Sequence, residues 1–244
     1  MQFEDFIKDV KKGFGLLFSS GPNRVKKALK GRFYRRFFDY SVITDKVRQS
    51  EESTVFDRNI KFSILVPLYN TPIRYLHEMI ASVQAQTYKN WELCLADGSD
   101  DEHAEVGKVV KEIAEKDSRI VYKKLSKNLG ISENTNECIR MATGDYIALF
   151  DHDDILHPSV LFENMQVICR EDADFIYTDE ATFEGNNIKK IIVFHFKPDF
   201  APDNLRANNY ICHFSVFSRQ LLEKSGIFRS EFDGSQDHDL ILRL

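Results

Sequence analysis

The sequence predicts an α/β fold: a mostly parallel sheet with helices on both faces. Three observations carry this expectation. From Lys61 onward, apolar runs of strand length alternate with segments of helical spacing. The intervals between the runs suit crossover helices rather than hairpins. Three of the runs end in polar loops: Tyr69-Asn70, Asp97-Gly98-Ser99 and Asp151-His152-Asp153-Asp154. Right-handed crossovers gather strand C-termini at one edge, where open α/β sheets bind ligands.

Each element has a local reason. Residues 62–68 read as a buried strand, stopped by Tyr69-Asn70-Thr71-Pro72, and 73–86 carry helical spacing through Leu76, Ile80 and Val83. Residues 91–96 form the second strand, 102–116 a helix, 120–124 a short strand and 131–142 a further helix. Gly144-Asp145 then turns the chain into Ile147-Ala148-Leu149-Phe150. After His157-Pro158 the alternation loosens: a helix over 159–170, strands over 174–179, 188–196 and 211–217, a loop or short helix over 200–207, and a short helix over 220–225. Residues 50–54 are polar and weakly patterned, and read as a linker into the main domain.

Bulk properties narrow the function. The 244 residues are 43% hydrophobic and 29% charged, ordinary values for a globular domain, and the net charge of −5 argues against nucleic acid as a partner. Four widely spaced cysteines without a Cys-x-x-Cys pair point to free thiols in a reducing, cytoplasmic setting. No run of 18 apolar residues spans a membrane, and lysines interrupt the apolar N-terminus where a secretory signal would need continuity. Residues 1–48 nevertheless carry 12 Lys/Arg against 5 Asp/Glu, interleaved with phenylalanines. That mixture suits either the surface of an anionic membrane, met through residues 1–50, or a helical extension packed on the domain or on another subunit.

The most informative segment is the acidic one. A buried strand that delivers Asp151, Asp153 and Asp154 together must end at the mouth of the sheet. Clustered carboxylates there need neutralising, and a hard divalent ion shared with substrate phosphates does so economically. The competing reading is an exposed acidic turn capping the next helix.

These residues resemble family 2 glycosyltransferases. The resemblance is carried by Ser63-Ile-Leu-Val-Pro-Leu-Tyr-Asn70, Ser82-Val-Gln-Ala-Gln-Thr-Tyr88, Trp91-Glu-Leu-Cys-Leu-Ala-Asp-Gly-Ser99, Asn128-Leu-Gly130 and Gly144-Asp-Tyr-Ile-Ala-Leu-Phe-Asp-His-Asp-Asp154. It implies a GT-A fold, a nucleotide-sugar donor (a UDP-sugar ahead of a dTDP-sugar), Mn²⁺ or Mg²⁺, and inverting transfer to a glycan or lipid-linked acceptor in surface polysaccharide synthesis. By position, Pro67 and Tyr69 would line the base and ribose pocket and Asp97 would accept a hydrogen bond from the base. Asn128 and Gly130 would border the nucleotide. Asp151, with His152 beside it, would face the ribose and diphosphate. Asp153 would be the principal metal ligand, with Asp154 bracing the loop. Gly234-Ser-Gln-Asp-His-Asp-Leu240 resembles the family's base motif, making Asp237 the general base and Asp239 the fallback. Asp179, Glu180 and His213 would face the sugar or acceptor, and His213 is also a candidate for the metal or diphosphate. The implied organisation is a helical extension over 1–55 and a GT-A domain over 56–244, truncated at its C-terminus and located at the cytoplasmic face of a membrane. Oligomeric association is left open.

The sequence departs from the family pattern at Ala96, where a second aspartate is usual, and at Gln236, where glutamate is commoner. Three other functions compete. A phosphohydrolase would use Phe150-Asp-His-Asp153 as its nucleophile motif, but Asp154-Ile155 follows where Gly-Thr belongs. A nucleotidyltransferase lacks its Gly-rich basic loop after the first strand. A non-catalytic module binding nucleotide-sugars or glycans is the third.

Overall fold

The computed structural model describes residues 43–185 and 187–244. Residues 1–42 of the expected helical extension therefore lie outside the described residues, and only 43–55 of it are described. One compact unit comprises residues 42–182 and 192–244; residues 183–191 are grouped apart from it.

The described elements are α1 (Asp45–Glu52), β1 (Phe62–Leu68), α2 (Ile73–Gln84), β2 (Trp91–Asp97), α3 (Glu105–Ala114), β3 (Ile120–Lys124), α4 (Ile131–Met141) and β4 (Tyr146–Leu149). There follow α5 (Val160–Glu171), β5 (Phe175–Tyr177), β6 (Glu180–Glu184), β7 (Asn187–His195), α6 (Pro202–Ala207), β8 (Ser215–Ser218), α7 (Arg219–Ser225) and α8 (Gln236–Arg243). The main sheet runs β3-β2-β1-β4-β8-β5, and β6 pairs with β7 in a separate ribbon. Strands β1 to β4 are mutually parallel, whereas β8 is antiparallel to both β4 and β5. The expected fold class is observed.

Sequence alternation in β1 and β2 distributes side chains to two cores. Phe62, Ile64, Val66 and Leu68 join Trp91, Leu93 and Leu95 on one face, beneath Leu76, Met79, Ile80 and Val83 of α2. That i, i+3, i+4, i+7 spacing is the apolar stripe of an amphipathic helix, and each such side chain contributes about 1.5–3 kcal/mol on burial. Leu65, Cys94, Ala96, Ile147 and Leu149 meet Cys138, Phe217 and Leu240 on the other face. All four cysteines are free thiols, and burial pushes those of Cys94 and Cys138 well above their ordinary range.

Three sequence expectations are corrected. Residues 50–54 are not an extended linker: α1 covers most of them and is joined to the sheet unit by Arg48 to the Ala85 carbonyl (3.1 Å) and Thr87 to Glu51 (2.7 Å). Strand β6 was not anticipated, because its alternation begins immediately after Asp179 with no turn signal. The strand expected over 211–217 starts only at Ser215, opposite Leu149, where β4 ends and no ladder partner remains.

At the sheet edge remote from the polar loops, Glu92 is buried and accepts from Ser63 Oγ (2.6 Å), Lys61 Nζ (2.6 Å) and the Thr143 hydroxyl. Gly144 donates its N–H to Ser63 Oγ at 2.8 Å, an approach that leaves no room for a side chain. A Cβ at Gly144 would lie 2.5 Å from the Lys61 carbonyl and 2.6 Å from Ser63 Oγ. Gly144→Ala is therefore expected to cost about 1–3 kcal/mol of stability, measurable by chemical denaturation. An unchanged midpoint would show that the edge relaxes freely.

Candidate active site

Register places the site. Leu149 of β4 lies opposite Ser215 of β8, and Ser215 lies opposite Tyr177 of β5. Because β8 runs against its two neighbours, chain leaving β4 and β5 meets chain entering β8. Two residues beyond each paired position stand Asp151, His213 and Asp179. His213 Nε2 lies 3.0 Å from Asp151 Oδ2. The loop after β4 closes as a turn through Asp154 N–H to the Asp151 carbonyl (3.4 Å), which brings positions i and i+3 together. Asp151, Asp154 and His213 consequently offer ligand atoms that all fall within 4.8 Å of one another.

Asp153 is exposed and lies outside that cluster, so the residue spacing within the turn favours Asp154 over Asp153 as a metal ligand. The electrostatics agree with an under-neutralised site. Burial pushes the Asp154 carboxyl up to about 6. Burial acts the same way on Asp151 and is the largest single influence, but the hydrogen bond and charge of His213 together with the charge of His152 outweigh it and hold that carboxyl below its ordinary range. The same bond raises the imidazole to about 9. His152 adds a smaller favourable charge beside Asp151. Two carboxylates and one imidazole are a donor set suited to Mn²⁺ or Mg²⁺, and the buried Nδ1 of His213 has no hydrogen-bond partner among the described residues.

The loops after β1 and β2 form one rigid wall. Asn70 sits in the left-handed region (φ 49°), which asparagine tolerates, and donates its N–H to Ser99 Oγ (2.9 Å). Its amide exchanges hydrogen bonds with Asp100, giving to the carboxylate (2.8 Å) and accepting from the N–H (3.1 Å). Pro67 lies within buried β1 and Tyr69 is exposed. Asp97 is 0% exposed. Its Oδ1 accepts the Ser99 N–H (2.8 Å), and its Oδ2 accepts the Tyr122 hydroxyl (2.8 Å) with Lys124 nearby. Both oxygens are thus engaged by the chain itself, shaping the wall. Asn128 Oδ1 accepts from Gly130 N–H (3.1 Å) and the Asn134 amide (2.8 Å), fixing the entry to α4. Gly130 has φ 89°, and a Cβ there would meet Asp233 at 2.6 Å. Asp233 in turn accepts the Ser132 N–H (3.2 Å), a contact the sequence did not reveal.

Two aspartates one residue apart in α8 have opposite environments. Burial first, and the charge of Asp151 second, raise Asp237, while His213 partly offsets both. Asp237 therefore belongs electrostatically to the cluster. Asp239 is clamped by Arg229 and by Arg243 (2.9 Å), which hold it below the ordinary carboxylate range. That clamp removes Asp239 from consideration as a base. Asp179 accepts the Lys197 N–H (2.8 Å), and Glu180 pairs with the Lys197 ammonium (3.2 Å). Lys197 is not among the site residues that the sequence singles out.

A mostly parallel sheet whose mouth holds this acidic cluster is the GT-A architecture. Residues 63–226 match the family described as glycosyl transferase family 2, and the chain belongs to that family. Uncharacterized protein y4gI of Sinorhizobium fredii is 44% identical over 182 residues, covering 74% of this chain and 20% of its own length. O-antigen biosynthesis protein RfbC of Myxococcus xanthus is 32% identical over 202 residues, covering 82% and 16%. The chain thus spans at most about a fifth of these curated relatives. Among solved structures, S. aureus TarS 1–349 in complex with UDP-GlcNAc matches with a TM-score of 0.60 at 20% identity, over 75% of this chain and 53% of that one. Mannosyltransferase PcManGT from Pyrobaculum calidifontis, in complex with GDP-Man and Mn²⁺, matches at 0.52 and 16% identity, over 79% and 56%. Both likenesses are likenesses of fold.

The contrast between the two aspartates predicts stability changes of opposite sign. Asp239→Asn weakens two charged hydrogen bonds and should cost about 1–3 kcal/mol. Asp237→Asn relieves a charge that burial disfavours, so its melting temperature should hold or rise. Thermal unfolding at neutral pH checks both, and equal losses would contradict the distinction.

Proposed function

We propose that this chain transfers a glycosyl group from a nucleotide-sugar to a hydroxyl of a glycan or lipid-linked acceptor, with inversion, in surface polysaccharide synthesis. The observation that carries the reading is the gathering of Asp151, Asp154 and His213 within ligand distance of one another, with Asp237 electrostatically coupled to them. Family membership and the O-antigen relative support the polysaccharide context. The UDP, UDP-GlcNAc and GDP-Man complexes of the fold neighbours support a nucleotide-sugar donor, with UDP-sugars first and dTDP-sugars next.

Asp237 accepts the proton of the acceptor hydroxyl as its oxygen attacks the anomeric carbon. The bond from that carbon to the diphosphate breaks in the same displacement, and the nucleoside diphosphate leaves with the electron pair. One displacement inverts the centre. Burial beside Asp151 raises the proton affinity of Asp237, which strengthens it as a base. Asp151, Asp154 and His213 would hold a divalent cation, which when bound would neutralise charge on the departing diphosphate. The joined loops of Asn70 and Asp100 hold their wall without reorganisation.

The basic, aromatic residues 1–50 support a further part of the reading, attachment to the cytoplasmic face of a membrane that carries the acceptor. Flotation with anionic liposomes should retain the full chain and lose a variant lacking residues 1–50. Equal retention would refute attachment through this segment.

Calorimetric titration of UDP, dTDP and GDP, with Mn²⁺ and with EDTA, tests the donor reading; binding of one nucleotide that depends on metal is expected. Asp237→Asn should then lower transfer by roughly 10²–10⁴-fold with nucleotide affinity nearly unchanged. Retained turnover would place the base elsewhere. Binding without turnover, even with acceptor and a full-length protein, would favour the non-catalytic module.

A further inference from the structure

Lys197 has the features of a built anchor rather than a surface lysine. Its side chain is 5% exposed. An ammonium has three N–H donors, and this one uses all three: on Glu180 Oε2 (3.2 Å), on the Ile211 carbonyl and on the His213 carbonyl. The two carbonyls flank Cys212, which lies in the left-handed region (φ 42°). A residue other than glycine is strained there and persists where its surroundings over-determine it. Further bonds contribute to that over-determination. The Cys212 N–H donates to Asn209 Oδ1 (3.3 Å), and the Ser215 hydroxyl donates to the Cys212 carbonyl (2.7 Å).

The backbone that delivers Lys197 is itself fixed. Its N–H donates to Asp179 (2.8 Å), the Tyr177 hydroxyl donates to the Pro198 carbonyl (2.8 Å), and the Ala201 N–H donates to the Tyr210 hydroxyl (2.9 Å). Ordering a lysine side chain costs conformational entropy, a cost reduced where the main chain is already held by hydrogen bonds. The buried cation also engages Glu180, whose carboxylate contributes a small raising influence on Asp154.

We propose that Lys197 is a positioning residue for the cation site: by holding the carbonyls on either side of Cys212, it sets the His213 imidazole against Asp151. The proposal rests on the reading that a divalent cation binds at Asp151, Asp154 and His213. Lys197 touches neither donor nor acceptor in this role, and acts only through His213.

A thermodynamic cycle with Mn²⁺ alone as the probe separates this from general destabilisation. Wild type, Lys197→Met, His213→Ala and the double variant are titrated with Mn²⁺ by calorimetry, with thermal unfolding measured in parallel. Lys197→Met should weaken Mn²⁺ binding about tenfold in the wild-type background and by less than about twofold in the His213→Ala background, since residues acting through one another are not additive. Lys197→Arg, included because its planar fork cannot reproduce three convergent bonds to separate acceptors, should fail to restore affinity. If wild type and Lys197→Met bind Mn²⁺ equally while His213→Ala binds it weakly, the positioning role is overturned and the cation site stands. Equal losses in both backgrounds would also overturn it, marking Lys197 as merely structural. Absence of Mn²⁺ binding by the wild type would overturn the cation site and the proposal with it.

Discussion

The antiparallel insertion of β8 between β4 and β5 is the constraint on which the site depends. In a wholly parallel sheet every chain leaves the mouth in the same direction, and histidine from one strand approach could not meet aspartate from another strand exit. Reversing one strand makes an approach and an exit coincide. Leu149, Ser215 and Tyr177 are aligned by the ladder, so Asp151 and His213, 62 positions apart, arrive side by side. Backbone hydrogen bonds thereby set the positions of the polar side chains.

Two further devices make that arrangement affordable in free energy. The first is pairing: Asp151 carries His213, Asp239 carries two arginines, and Glu180 carries Lys197. The second is restraint of the loops by reciprocal side-chain bonds, as between Asn70 and Asp100. Among the described residues Asp154 and Asp237 have no such side-chain partner, and burial raises both. Perturbed carboxyls of this kind are characteristic of sites that receive a ligand or a proton.

Much of the scaffold was legible because local pattern and tertiary role coincide. Strand β1 and helix α2 follow their apolar periodicity almost to the residue, with α2 ending at Gln84 rather than 86. The legible part weakened after His157-Pro158, where short strands pair with distant partners. Ile211 to Phe217 is apolar enough to be a strand throughout, yet only its last part has a neighbour to pair with. The acidic loop shows the same limit of local pattern. Spacing in sequence makes Asp151 and Asp153 a pair, whereas the turn brings Asp151 and Asp154 together.

The sequence by itself determined the alternating elements, the sheet-mouth position of the acidic loop and family membership. Those follow from residue order, because periodicity and motif spacing are local properties. Only the tertiary structure decided the direction of β8, the union of His213 with Asp151, the clamp on Asp239 and the seat of Lys197. Apart from Arg243 on Asp239's own helix, these pairs join residues 10 to 62 positions apart, and their proximity is set by ladder register and packed cores, which no local pattern encodes.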